Sequence, residues 1–188
     1  MSSTATETTS LAAATGTWVI DPAHTSLAFS ARHAMVAKVR GTFGEFAGSF
    51  TIDGANPGNS TAELTMQAAS IDTRNADRDA HLTSADFLDV ENHPTLTFVS
   101  TAVRVDGPAI VVTGDLTIHG VTKSVDVTYE LVGISQDPWG NTKIGFEGSA
   151  RISRKDFGLV WNAALESGGV LVGDEIKLNF DVEAAKQS

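Results

Sequence analysis

The chain contains no cysteine, which excludes disulfides, zinc ribbons and thiol catalysis. Basic residues are scarce: 13 Lys and Arg stand against 23 Asp and Glu, a formal net charge of −10. That balance argues against wrapping nucleic acid or lying on an anionic membrane, since both require an excess of positive charge. No stretch approaches the ~20 apolar residues of a membrane-spanning helix, so stable membrane insertion is not expected. Residues 1–16 are rich in Ser, Thr and Ala and hold no Lys or Arg. A secretory signal starts basic and continues with roughly 7–15 apolar residues, and the stretch from Leu11 to Ala14 is too short for that. Residues 1–16 therefore read as a disordered tail and the protein as cytoplasmic. Catalytic signatures are missing too: there is no Gly-x-Ser-x-Gly elbow and no phosphate-binding loop. His24 and Ser26 share a parity without an evident third member, and no enzyme is expected.

What the sequence does have is alternation. Its 188 residues suit one domain. Leu27, Phe29, Ala31 and His33 share one parity, as do Phe46, Phe50 and Ile52, and Leu64, Met66 and Ala68. The pattern recurs in Leu96 and Phe98, in Ile110 to Ile118, in Val125 to Leu131, in Ile144 to Ile152, and in Ile176 to Val182. A period of two marks strands buried on one face, and one-sided burial favours antiparallel sheets. About eight strands result, punctuated by Asp-Gly, Asp-Gly-Pro and Asp-Pro-Trp-Gly turns. Only Asn75 to Leu88 reads as helical, with Ser84 placed to cap a second short turn.

Long strands joined in succession predict an all-β fold: an eight-stranded antiparallel up-and-down barrel with a short helical insertion between strands 3 and 4. The barrel spans residues 17–184, with a short tail over 185–188. In this topology the connections near 33–38, 72–94, 119–121 and 154–169 share one rim, and barrel mouths are preferred ligand sites. Four of the five histidines, His33, His81, His93 and His119, fall in or beside these connections. No His-x-x-x-His or Glu-x-x-His helix spacing accompanies them, yet metal ligands can converge from separate loops. The segment from Pro22 to Gly44 carries Arg32, Lys38 and Arg40 without any acid. Arg74 and Asp77 are expected to pair, leaving Arg78 solvated, while Arg78 and His81, three apart, can also face the mouth together. Phe43 falls off the parity of Phe46, which predicts a bulge near Gly41 or Gly44.

Several stretches taken together resemble the YceI-like family of polyisoprenoid-binding, lipocalin-like proteins. They are Asp21-Pro22-Ala23-His24-Thr25-Ser26-Leu27-Ala28-Phe29, Gly41-Thr42-Phe43-Gly44-Glu45-Phe46, Ser70-Ile71-Asp72-Thr73-Arg74-Asn75 and Arg78-Asp79-Ala80-His81-Leu82. Ser84-Ala85-Asp86-Phe87, the run from Gly114 to Lys123, Gly145-Phe146 and Arg154-Lys155-Asp156-Phe157-Gly158 complete the set. The resemblance covers about Thr17 to Glu183. It implies a barrel around an apolar channel that holds a polyisoprenoid, quinone or similar lipid, with no further cofactor, and it is compatible with a homodimer. Many family members are exported, whereas this sequence shows no signal segment.

The inward parity offers Leu27, Phe29, Phe46, Phe50, Leu64, Met66, Phe98, Ile118, Phe146, Ile176 and Leu178 as the lining. Parity alone leaves open whether these side chains line a channel or fill a dry core; the resemblance favours the channel. His33, Arg78, His81 and Trp161 are the candidate mouth residues. His33 is either a hydrogen-bonded structural residue or a polar anchor for a headgroup, and Trp161 either plugs the opening or packs at the rim. The leading reading is a lipid carrier. The alternatives are a rim-histidine metalloenzyme acting on a small apolar substrate and a structural protein with a dry barrel.

Overall fold

The computed structural model describes residues 10–188. Twelve elements follow one another: β1 (Gly16–Ile20), β2 (Ser26–His33), β3 (Ala37–Phe43), β4 (Phe46–Ile52), β5 (Thr61–Gln67), β6 (Ile71–Asp72), α1 (Ala76–Thr83), β7 (Thr95–Asp106), β8 (Ala109–Ile118), β9 (Val121–Gln136), β10 (Thr142–Ser153) and β11 (Val172–Lys186). All neighbouring strands pair antiparallel, and β1 closes the sheet on β11.

The first six strands form three staves, each broken in the middle. Between β1 and β2, Pro22 cannot donate to a ladder, and the Asp21 carboxylate accepts the Ala23 N–H at 3.0 Å. β3 and β4 break at Gly44-Glu45, and β5 and β6 break at a 3-10 turn over Ala68–Ser70. The last two breaks face each other: Gly44 N donates to Ser70 O and Gln67 N to Glu45 O. With β7 to β11 these staves make the expected eight-stranded, up-and-down antiparallel barrel, and α1 lies between the third and fourth staves. The predicted bulge near Gly44 is this break, and it lets Phe43 and Phe46 both face inward although they are three apart.

Three boundaries differ from expectation. Residues 1–9 of the expected tail lie outside the described residues, but Leu11–Ala14 form a 3-10 turn with Ala14 fully buried. The cause is Trp18, also fully buried, whose indole N–H needs an acceptor and donates to Ala14 O at 2.8 Å. The expected C-terminal tail is strand as far as Lys186, which pairs with Trp18. The helix is shorter than Asn75 to Leu88. Asn75 caps it by accepting the Arg78 N–H, and the Ser84 N–H and hydroxyl both return to His81 O, ending it at Thr83.

Two clusters divide the interior. Trp18, Ile52, Ile144, Ala14 and Ala184 close one end of the barrel. Leu27, Met66, Leu96, Leu116, Ile118 and Phe157 belong to the larger cluster towards the helix.

Candidate ligand-binding lumen

A cavity of about 620 Å³ runs inside the barrel, within the roughly 300–1,000 Å³ typical of ligand pockets. Its lining along β11 extends from Val172 to Val182. Ten residues of a strand tilted as in an eight-stranded barrel cover roughly 25 Å of axis. The staves deliver the lining by parity. Leu27 and Phe29 face in from β2, Phe50 from β4, Leu64 and Met66 from β5, and Phe98 from β7. Ile118 does so from β8, Phe146 from β10, and Ile176 and Leu178 from β11. Phe46 is the exception: it opens β4 just after the Gly44-Glu45 break and packs against the larger core cluster, off the lumen wall.

Seven aromatic rings from the strands (Phe29, Phe43, Phe50, Phe98, Tyr129, Phe146 and Phe180) and several leucines would be expected to fill so narrow a barrel. Glycines on neighbouring strands prevent it. Phe29 lies over Gly41, Phe98 over Gly114 and Tyr129 over Gly148, each so close that an added Cβ would collide with the ring. The rings therefore lie flat along the wall instead of projecting across the lumen. A line of aromatic contacts runs from the closed end upwards: Trp18 to Phe50 (6.4 Å between centroids), Phe50 to Phe146 (5.7 Å), Phe146 to Tyr129 (6.3 Å) and Tyr129 to Phe180 (6.4 Å). Burial pushes the Tyr129 phenol well above its ordinary pKa, so it remains a neutral hydroxyl.

At the mouth the wall turns polar. His33, at the end of β2, is exposed and lines the opening, and Arg78, His81 and Trp161 line it as well. The His81 ring meets Trp161 edge-on at 4.5 Å and Phe87 at 5.0 Å, and its Nε2 lies 2.9 Å from Asp86 Oδ2. Trp161 is thus a rim-packing residue that also narrows the opening. Arg78 is not left to solvent. Its Nε donates to Thr73 Oγ1 at 2.8 Å and its Nη2 to Thr73 O at 2.7 Å. The expected Arg74–Asp77 pair is absent among the described residues, because Arg74 sits at φ 61°, ahead of the helix cap.

Arg154 carries a role the sequence reading missed. Its side chain is 3 % exposed, and its guanidinium donates to Gly173 O (3.0 Å), Leu159 O (2.6 Å), Trp161 O (2.9 Å) and Val172 O (3.3 Å). Asp174 lies 3.5 Å away. Burial lowers the Arg154 pKa, and Asp174 opposes that shift. The residue fastens the long connection after β10 to the start of β11 and so sets the position of Trp161. The only signal in the sequence was its place in the Arg-Lys-Asp-Phe-Gly stretch.

The four rim histidines separate into two groups. His33 and His81 line the lumen, whereas His93 and His119 do not. The latter two meet edge to face with ring centroids 4.9 Å apart. A metal held by that pair would lie outside the lumen wall.

The sequence matches the YceI-like domain over residues 18–184. A UPF0312 protein of Pseudomonas aeruginosa is 40% identical over 164 residues, covering 87% of this chain and 83% of the relative. The crystal structure of Burkholderia cenocepacia BcnA aligns with a TM-score of 0.75 at 25% identity, covering 87% of this chain and 98% of that one. A polyisoprenoid binding domain from Saccharophagus degradans shares the fold, with a TM-score of 0.67 at 16% identity over 90% of this chain and 98% of that one.

Proposed function

The chain belongs to the YceI-like family, and from that membership and its open apolar lumen we propose that it binds a long-chain isoprenoid or related lipid, tail inward, as a non-catalytic carrier. The observation that carries this reading is the flattening of Phe29, Phe98 and Tyr129 onto glycines. A barrel built only for stability would fill that space, because close packing contributes dispersion energy that an empty lumen forfeits. Removing a hydrocarbon tail from water yields about 25 cal/mol per Å², so a tail of several prenyl units binds without polar contacts along its length. Polar groups are needed only where a headgroup emerges, and His33, Arg78 and His81 stand there. The polyisoprenoid binding domain from Saccharophagus degradans lends the precedent of the same fold in a protein that binds such a ligand.

Organic extraction of the purified protein followed by mass spectrometry is the direct test. A co-purifying polyprenyl lipid, or uptake of added polyprenol by lipid-free protein, is the expected result. Leu178→Asp places a charge in mid-lumen and should abolish uptake while the barrel remains folded by circular dichroism. Undiminished uptake by folded L178D would reject the lumen as the binding site. Absence of both co-purified lipid and uptake would favour the dry structural barrel.

A further inference from the structure

Outside the lumen, two side-chain groups bring histidine and carboxylate together. In the first, His24 meets Asp21 and Glu183. Lys143 Nζ already lies 3.3 Å from Asp21 and 3.9 Å from Glu183, so that group is an ion-pair network with its own cation. The second group is Asp89, His93 and His119. Each offers one ligand atom, all within 4.8 Å of one another, and each residue is half-buried. No lysine or arginine pairs with Asp89 among the described residues.

We infer that Asp89, His93 and His119 form a binding site for one divalent transition-metal ion beside the barrel mouth. Two imidazoles and one carboxylate suit zinc, copper(II) or nickel, whereas calcium and magnesium take oxygen ligands. The backbone brings the donors together. Asp89 and His119 both adopt left-handed conformations, φ 49° and 55°, which non-glycine residues adopt rarely and often at functional sites. Asp89 and His93 are joined by a turn in which His93 N donates to Asp89 O at 2.8 Å. Asn92 Nδ2 donates to both Asp89 carboxylate oxygens, at 3.2 and 3.0 Å, an outer contact of the kind that orients a ligating carboxylate. No hydrogen bond to either imidazole of His93 or His119 occurs among the described residues, so their nitrogens are available. Three protein ligands leave a fourth position open to solvent or to an external group. The ion would tie the connection after α1 to the tight turn between β8 and β9, two of the segments that frame the mouth.

Zinc added to the full chain, stripped beforehand with chelator, should bind at one ion per chain in calorimetry and raise the thermal midpoint, because an ion that binds only the folded state stabilises it. Cobalt(II) substituted for zinc should give a visible spectrum with imidazole ligation. His93→Gln and Asp89→Asn should each weaken zinc by at least about tenfold. His119→Asn, which keeps a residue tolerant of φ > 0, should do the same. His24→Gln should leave zinc affinity unchanged. Polyprenol uptake should also be unchanged in H93Q, since His93 does not line the lumen, which keeps this site's failure distinct from failure of the lipid reading. Should H119N fail to fold, H93Q decides the matter. Absence of zinc binding, or affinity undiminished in folded H93Q, would overturn the assignment.

Discussion

Tyr129 lies flat across Gly148, its registered partner on the adjacent strand, with the phenol ring occupying the space a Cβ would take. Gly148 is not in a left-handed conformation, so alanine is excluded there by the ring and not by the backbone. Gly148→Ala should therefore push Tyr129 off the wall and into the lumen. We expect overpacking to cost about 1–3 kcal/mol of stability and lipid capacity to fall. Adding Tyr129→Ala to G148A should recover both, giving a coupling energy of opposite sign to the single effects in denaturant titrations.

The inward set was legible because a period of two shows plainly when one face of a strand is greasy. Leu27 and Phe29, or Ile176 and Leu178, could hardly point elsewhere. Phe46 was misplaced because the break at Gly44-Glu45 changes what its inward face meets: the parity mismatch with Phe43 signals the break but not what lies opposite Phe46 beyond it. The openness of the lumen was not legible at all. It depends on which glycine faces which aromatic across two strands, as Gly114 faces Phe98, and that pairing exists only once register is known. The clustering of His33, His81, His93 and His119 at one rim followed from topology, but their division into two groups did not. Arg154 shows the other limit: a basic residue in a loop motif reads as solvated until the carbonyls converging on it are seen.

Trp161 and His81 meet across the mouth at 4.5 Å, joining the connection after β10 to α1. Trp161→Ala removes the larger half of that contact without altering the wall below. Release of a fluorescent polyprenol should become faster in W161A, with a smaller change in the association rate, as is usual when one contact of a complex is deleted. Stopped-flow displacement measures both.

At the break between β1 and β2, Asp21 and His24 form a charge-assisted pair with Nδ1 2.9 Å from Oδ2. The hydrogen bond to Asp21, helped by Glu183, raises the His24 pKa above its ordinary 6.5. The same hydrogen bond, with Lys143 and the Ala23 N–H assisting, lowers Asp21 below its ordinary 3.8. The His24 contribution is complete below pH 6.5 and disappears as pH rises through its folded value; that of Asp21 is present above 3.8 and disappears as pH falls through its own. The thermal midpoint of wild type should therefore exceed that of His24→Gln most between these two values and converge with it in alkaline solution. Both groups face solvent, so the difference will be small and will shrink further with added salt.

Arg154 offers the sharpest separation between fold and function, because it holds two carbonyls of the connection after β10 (Leu159, Trp161) to two at the start of β11 (Val172, Gly173). Arg154→Met preserves much of the volume and apolar stem but leaves those carbonyls without a donor in a buried site. Stranded acceptors cost about 1–3 kcal/mol each where water cannot reach them, so a loss of roughly 3 kcal/mol or more is expected if the connection stays in place. A second outcome is open to the molecule: residues 158–171 can detach and let water satisfy their carbonyls, which limits the loss but frees Trp161 from the mouth. Lysine at 154 would carry the charge but not the planar fork, and one ammonium cannot donate to four carbonyls at these separations. Chemical denaturation gives the first quantity and amide hydrogen exchange over 158–171 the second. R154M that is both as stable and as protected over this segment as wild type would show that the guanidinium does not hold the connection.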